Sequence, residues 1–127
     1  MPGKQLFEYA VIRVVPRVER EEFMNVGVIL YARDQQFLQM LYHVDAKKFA
    51  ALSENLDIKE VEEHLHSIER ICKGAPGSGP IGQMEMASRF RWLTATRSTV
   101  VQPSKVHPGF CNKPDEALHQ LFEQLVL

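Results

Sequence analysis

The sequence predicts an α+β fold: a three- or four-stranded, mainly antiparallel sheet with helices packed on it. Three observations lead there. The first third of the chain is rich in β-branched and aromatic residues, broken by short polar links. Those links are too short for parallel crossovers, which need about a dozen residues or more. After residue 45 the apolar residues recur at three- and four-residue steps, the period of a helix lying on a core.

Phe7–Val15 reads as the first strand, closed by Pro16. Residues 17–22, RVEREE, form a charged connection. Phe23–Tyr31 is the second strand, and both of its faces are mostly apolar, as in a central strand covered on both sides. Arg33-Asp34-Gln35 marks a tight turn, and Phe37–Val44 is the third strand. Asp45 is placed to cap a short helix over Ala46–Leu52. Asp57 caps a longer one, with Ile58, Val61, Leu65, Ile68 and Cys72 on its apolar face and Glu62, Glu63, His66 and Glu69 on its wet face. Gly74 stops that helix. Residues 74–82, GAPGSGPIG, read as a flexible loop or hinge. Gln83–Leu93 fits a helix with Met86, Phe90 and Leu93 together, and Ser98–Gln102 a further strand that joins the same sheet. Pro103–Pro108 reads as irregular. Pro114 opens a last helix striped by Leu118, Leu121, Phe122 and Leu125.

The 127 residues suit a single domain, 1–127, with enough hydrophobic content (45%) to fold without a metal or disulfide. The net charge of -1 argues against a general nucleic-acid binder. Cys72 and Cys111 make no CxxC pair, as expected in a reducing compartment. MPGKQLFEY lacks the apolar core of a signal peptide, and runs such as Val26–Ala32 are too short to span a bilayer. The expected location is the cytoplasm.

The most informative stretch for chemistry is Ser88–His107. It brings Arg89, Arg91 and Arg97 close in sequence to Ser98, Thr99, Lys105 and His107. Guanidinium groups clasp phosphate or carboxylate in a bidentate way, and hydroxyls add neutral donors. These residues are therefore candidates for an anion pocket, or for surface arginines paired with the many glutamates. Asn25-Val26-Gly27 is out of place in an apolar strand. It signals a bulge with a hydrogen-bonded amide, or makes Asn25 part of a pocket floor. Arg13 also interrupts an apolar strand and needs a partner, either Glu22 in an internal ion pair or a ligand.

His64 and His66 point about 160° apart on a helix, so they cannot chelate one metal together. No HExxH, Walker loop or GxSxG is present, and GAPGSGPIG lacks the GK[ST] ending of a phosphate loop. Neither a metal nor a cofactor is expected. Cys111 follows a Pro-Gly turn and reads as an incidental or a reactive thiol.

Two blocks, YAVIRVVPRVEREEFMNVGVILY and SRFRWLTATRSTVVQPSKVHPGF, resemble a bacterial family catalogued as domain of unknown function 3037. The first carries the family's order of strand, proline, acidic link and Asn-Val-Gly-Val. The second carries its arginine-tryptophan-leucine-threonine segment and the later His107-Pro108-Gly109. The resemblance implies a stand-alone bacterial cytoplasmic protein of unassigned activity. Such proteins are often encoded beside a HipA-like kinase, which implies an accessory role toward a protein partner. The competing expectation is a sensor or enzyme for a phosphorylated metabolite or nucleotide, using Arg89, Arg91, Arg97, Ser98, Thr99 and His107, with Arg13 and Asn25 contributing.

Overall fold

The computed structural model describes residues 4–16, 22–52, 56–97 and 99–127. They form an α+β structure with one antiparallel sheet. The strands are β1 (Gln5–Val14), β2 (Met24–Ala32), β3 (Phe37–Tyr42), β4 (Val101–Pro103) and β5 (His107–Cys111). The helices are α1 (Ala46–Leu52), α2 (Ile58–Lys73), α3 (Gly79–Gly82), α4 (Met86–Leu93) and α5 (Pro114–Leu125). The order across the sheet is β3-β2-β1-β4, and β5 pairs with β1 beyond β4. The expected charged connection falls mostly on 17–21, outside the described residues.

Helices cover both faces of the sheet. On one face Ala10, Ile12, Val14, Ile29 and Tyr31 meet Phe49 of α1, Val61, Leu65, Ile68 and Cys72 of α2, and Phe90 and Leu93 of α4. On the other, Phe7, Val28, Leu30 and Ala32 meet Leu118 of α5. A fully buried Leu such as Leu118 contributes about 1.5–3 kcal/mol of hydrophobic stabilisation. The capping chemistry is local. Asp45 Oδ1 accepts from the amides of Lys47 and Lys48, and Asp57 Oδ1 from those of Lys59 and Glu60. Gly74 ends α2 in the left-handed region, at φ 62°.

The Asn25-Val26-Gly27 anomaly is a β-bulge. Ile12 pairs with Gly27 but Arg13 with Asn25, so β2 carries one extra residue. The extra residue inverts the alternation. Met24 and Val26 share a face with Ile29 and Tyr31, while Asn25 turns to the α5 face. A Cβ on Gly27 would sit 2.9 Å from the Leu41 carbonyl oxygen of β3, which explains the glycine.

The β4–β5 edge has a second irregularity. From Pro103, opposite Ile12, to His107, opposite Tyr9, the edge takes four residue steps against three in β1. Ser104 bridges the mismatch. Its amide donates to the Val11 carbonyl (2.7 Å), and its buried hydroxyl accepts from the Val11 amide (2.8 Å). Thus a side-chain oxygen stands where a ladder carbonyl would.

Three expectations are corrected. The sheet has five strands, because part of the stretch read as irregular is β5. Pro108 and Gly109 hide it, since both are depleted in strands. An edge tolerates a missing N–H, and the bare face of Gly109 admits the Phe7 ring. The helix expected from Gln83 begins at Met86, and the strand expected over Ser98–Gln102 runs from Val101 to Pro103. The glycine-rich stretch folds as turns and the short α3, with Pro80 in its first turn. Arg70 Nη2 donates to the Pro76 carbonyl (2.8 Å) and Ser78 Oγ to that of Ala75 (2.6 Å).

Replacing Ser104 with Ala leaves the buried Val11 amide without an acceptor. Urea denaturation is expected to show a loss of about 1–3 kcal/mol.

Candidate functional site

The arginines that are neighbours in sequence part company in space. Arg91 reaches across to β1 and donates from Nη1 and Nη2 to the two Glu8 carboxylate oxygens, both at 2.9 Å. Arg89 turns the other way. Its Nη1 donates to the Met84 carbonyl (3.0 Å), close against Gly74. Arg97 folds back over the end of α4. Its guanidinium lies 4.5 Å from the Trp92 ring centroid and donates to the carbonyls of Leu93 (3.0 Å) and Trp92 (2.6 Å). Those carbonyls belong to the last turn, which lacks intrahelical donors, so the cation also meets the negative end of the helix. Thr99 Oγ1 donates to the Val101 carbonyl (2.8 Å). Ser98 lies outside the described residues. The three arginines of the segment therefore share no common anion pocket among the described residues; each donates to a separate internal partner.

Arg13 and Asn25, distant in sequence from that segment, do meet. They are cross-strand partners on the α5 face, and Arg13 also pairs with Gln102 of β4. Directly opposed residues in a sheet share a face with Cβ atoms about 5 Å apart. Gln102, Arg13 and Asn25 thus form one polar row across three strands. Asn25 Nδ2 donates to the Leu125 carbonyl of α5 (3.0 Å). The Arg13 guanidinium lies 4.3 Å from the centroid of the Phe23 ring. His107 shares this face but stacks on Tyr9, its cross-strand partner, at 5.4 Å between centroids. Tyr9 is four residues from Arg13, so His107 stands about 13 Å along the sheet. The sequence reading missed Gln102, although it is the one polar residue between Val101 and Pro103.

Two clefts flank the opposite end of β1. One, of about 570 Å³, lies between the β2–β3 turn and the start of α4, with Leu6, Glu8, Tyr31, Arg33, Glu85 and Arg91 in its wall. The other, of about 430 Å³, lies between the end of β5 and α5, with Lys4, Phe110, Lys113 and Glu116 at its mouth. Leu6 and Phe110 are cross-strand partners on the rim, 51% and 69% exposed. Sequence reading gave Leu6 and Phe110 no role, because a lone apolar residue on a surface is ordinary until a partner lies beside it.

Burial shifts three groups that could carry chemistry. Burial pushes the Cys72 thiol up to about 12. Half-buried Cys111 is raised in the same sense. His64, on α2, is lowered by burial first and by the Arg97 cation second. Among the described residues no group of three or more His, Cys, Asp or Glu side chains is placed to hold a metal ion. No helix among them is long and apolar enough to cross a membrane.

A family model described as "Protein of unknown function (DUF3037)" matches residues 9–126. No curated protein and no solved structure matches.

Two predictions come from the titrating groups. A thiol titration with an aromatic disulfide at pH 8 is expected to find Cys72 silent in the native chain and reactive once urea unfolds it. Cys111 is expected to react slowly in the native chain, because the thiolate is the attacking form. His64 has a lower pKa folded than unfolded, so the unfolded chain takes up its proton first. Stability is then full above the ordinary histidine value of about 6.5 and falls as the pH drops through the folded pKa. His64→Gln is expected to flatten that part of a stability–pH curve.

Proposed function

Because the chain belongs to the family described as protein of unknown function (DUF3037), we propose that it is a non-enzymatic binding protein acting on a protein partner. The observation that carries this reading is the Leu6–Phe110 pair. Two large apolar side chains lie side by side, more than half exposed, on the sheet rim between two clefts. Burying such side chains in a partner is worth about 1.5–3 kcal/mol each. The clefts beside them supply the concave relief that anchors of a partner would enter. The arginines of α4 and the following loop are committed to Glu8, Met84, Leu93 and Trp92, which favours a contact surface over an arginine-lined catalytic pocket.

The family resemblance makes a HipA-like kinase of the same bacterial cytoplasm the partner to test first. Purified chain and kinase are mixed and their mass is read by size-exclusion chromatography with light scattering. A complex is expected, and Phe110→Ser is expected to weaken it about thirtyfold or more, the scale of a central anchor. Glu62→Ala, on the exposed face of α2, is expected to leave it unchanged. No complex, or one indifferent to Phe110→Ser, removes the reading.

A further inference from the structure

The polar row that begins at the end of α5, with Asn25, has an unusual property. Among the described residues, five buried side-chain nitrogen or oxygen atoms lack a hydrogen-bond partner. Three of them are in this one row: Gln102 Nε2, Arg13 Nε and Asn25 Oδ1. A buried polar group left unpaired costs about 1–3 kcal/mol, more when charged, so three together make a costly resting arrangement.

The chemistry of the row is specific. Leu125 carbonyl oxygen needs a donor, which orients the Asn25 amide with Nδ2 toward α5 and leaves Oδ1 as a buried acceptor without a partner. Arg13 Nε and Gln102 Nε2 are donors, one of them cationic. Two donors with a positive charge select an oxyanion, and the acceptor beside them selects a ligand that also offers a proton. All three residues are only half-buried, so their exposed parts reach the surface. The unpaired atoms themselves are closed off, and the Phe23 ring, 49% exposed, lies over the guanidinium as a cover.

We propose that Gln102, Arg13 and Asn25 form a binding site for a small oxyanion bearing, or lying next to, a hydrogen-bond donor, entered by displacement of the Phe23 ring. The oxygens accept from Arg13 Nε and Gln102 Nε2, and the ligand's own O–H or N–H donates to Asn25 Oδ1. Hydrogen phosphate meets this description through its P–OH group. A carboxylate next to an amide N–H meets it equally. The site is separate from the Leu6–Phe110 rim and does not depend on the partner reading.

The test titrates the full chain with sodium phosphate and, separately, with N-acetylglycine, against sodium chloride at matched ionic strength. The side-chain signals of Arg13 Nε–H and of the Gln102 and Asn25 amides are followed by NMR, and the melting temperature is measured in parallel. One anion is expected to move those signals saturably and to raise Tm by about 5 °C at ten times its dissociation constant. The anion that does so tells phosphate from carboxylate. Gln102→Glu removes a donor and adds a repelling charge, while breaking no hydrogen bond in the structure. It is expected to keep the fold, read by backbone NMR, and to abolish both responses. If neither anion moves the three signals, or if Gln102→Glu leaves the response intact, the proposal is overturned.

Discussion

One residue too many in β2 governs much of this structure. Opposite Ile12 and Arg13 of β1, the second strand fits three residues, Asn25, Val26 and Gly27, where two would keep the ladder even. Strand side chains alternate strictly, so one inserted residue exchanges the faces of everything beyond it. Met24 and Val26 stay in the core under α2 and α4, while Val28, Leu30 and Ala32 are delivered to the core under α5. The same exchange points Asn25 at the C-terminal end of α5, where its amide holds the Leu125 carbonyl. In an even ladder Asn25 would face the larger core, where an amide finds few partners. Gly27 meets the second requirement of the bulge, because the β3 backbone passes too close for a side chain.

A matching irregularity on the other side of β1 completes the frame. The β4–β5 edge runs one residue long against β1, and the Ser104 hydroxyl absorbs the slack by taking the Val11 amide. β1 is thus flanked by a bulge on each side within a few residues of Ile12. Bulges bend and twist a sheet locally, and they re-aim side chains. Here the residue re-aimed is Asn25, which the bulge in β2 turns to the face that Arg13 already occupies. At the far end of β1 the register is regular again, and Leu6 and Phe110 come together at the rim because nothing packs over them among the described residues.

Most elements were legible because their signals are local. Asp45 and Asp57 cap as their positions imply, and Val61, Leu65, Ile68 and Cys72 all lie on the buried face of α2. Asn25-Val26-Gly27 announced its bulge, since a strand tolerates an asparagine and a glycine together only with a reason. β5 was illegible. His-Pro-Gly reads as a turn, and only pairing with β1 makes a strand of it. The glycine-rich stretch holds the short α3, which its composition does not announce. Its carbonyls accept both from Arg70 of α2 and from Ser78 within the stretch.

The candidate site shows the same division. Residue types and spacing determined the α+β class, the buried faces of β2 and α2, and the presence of cations that need partners. They could not determine which partners. Arg89, Arg91 and Arg97 fall within nine positions, yet a helix turns about 100° per residue, so they leave α4 and the loop beyond it in different directions. Their targets, Met84, Glu8 and the end of α4, are set by how α4 lies on the sheet. Arg13, Asn25 and Gln102, spread over ninety positions, became neighbours because register aligned them in one row. Local sequence carries propensity and polarity; only the pairing of strands remote in the chain decides which polar groups must satisfy one another.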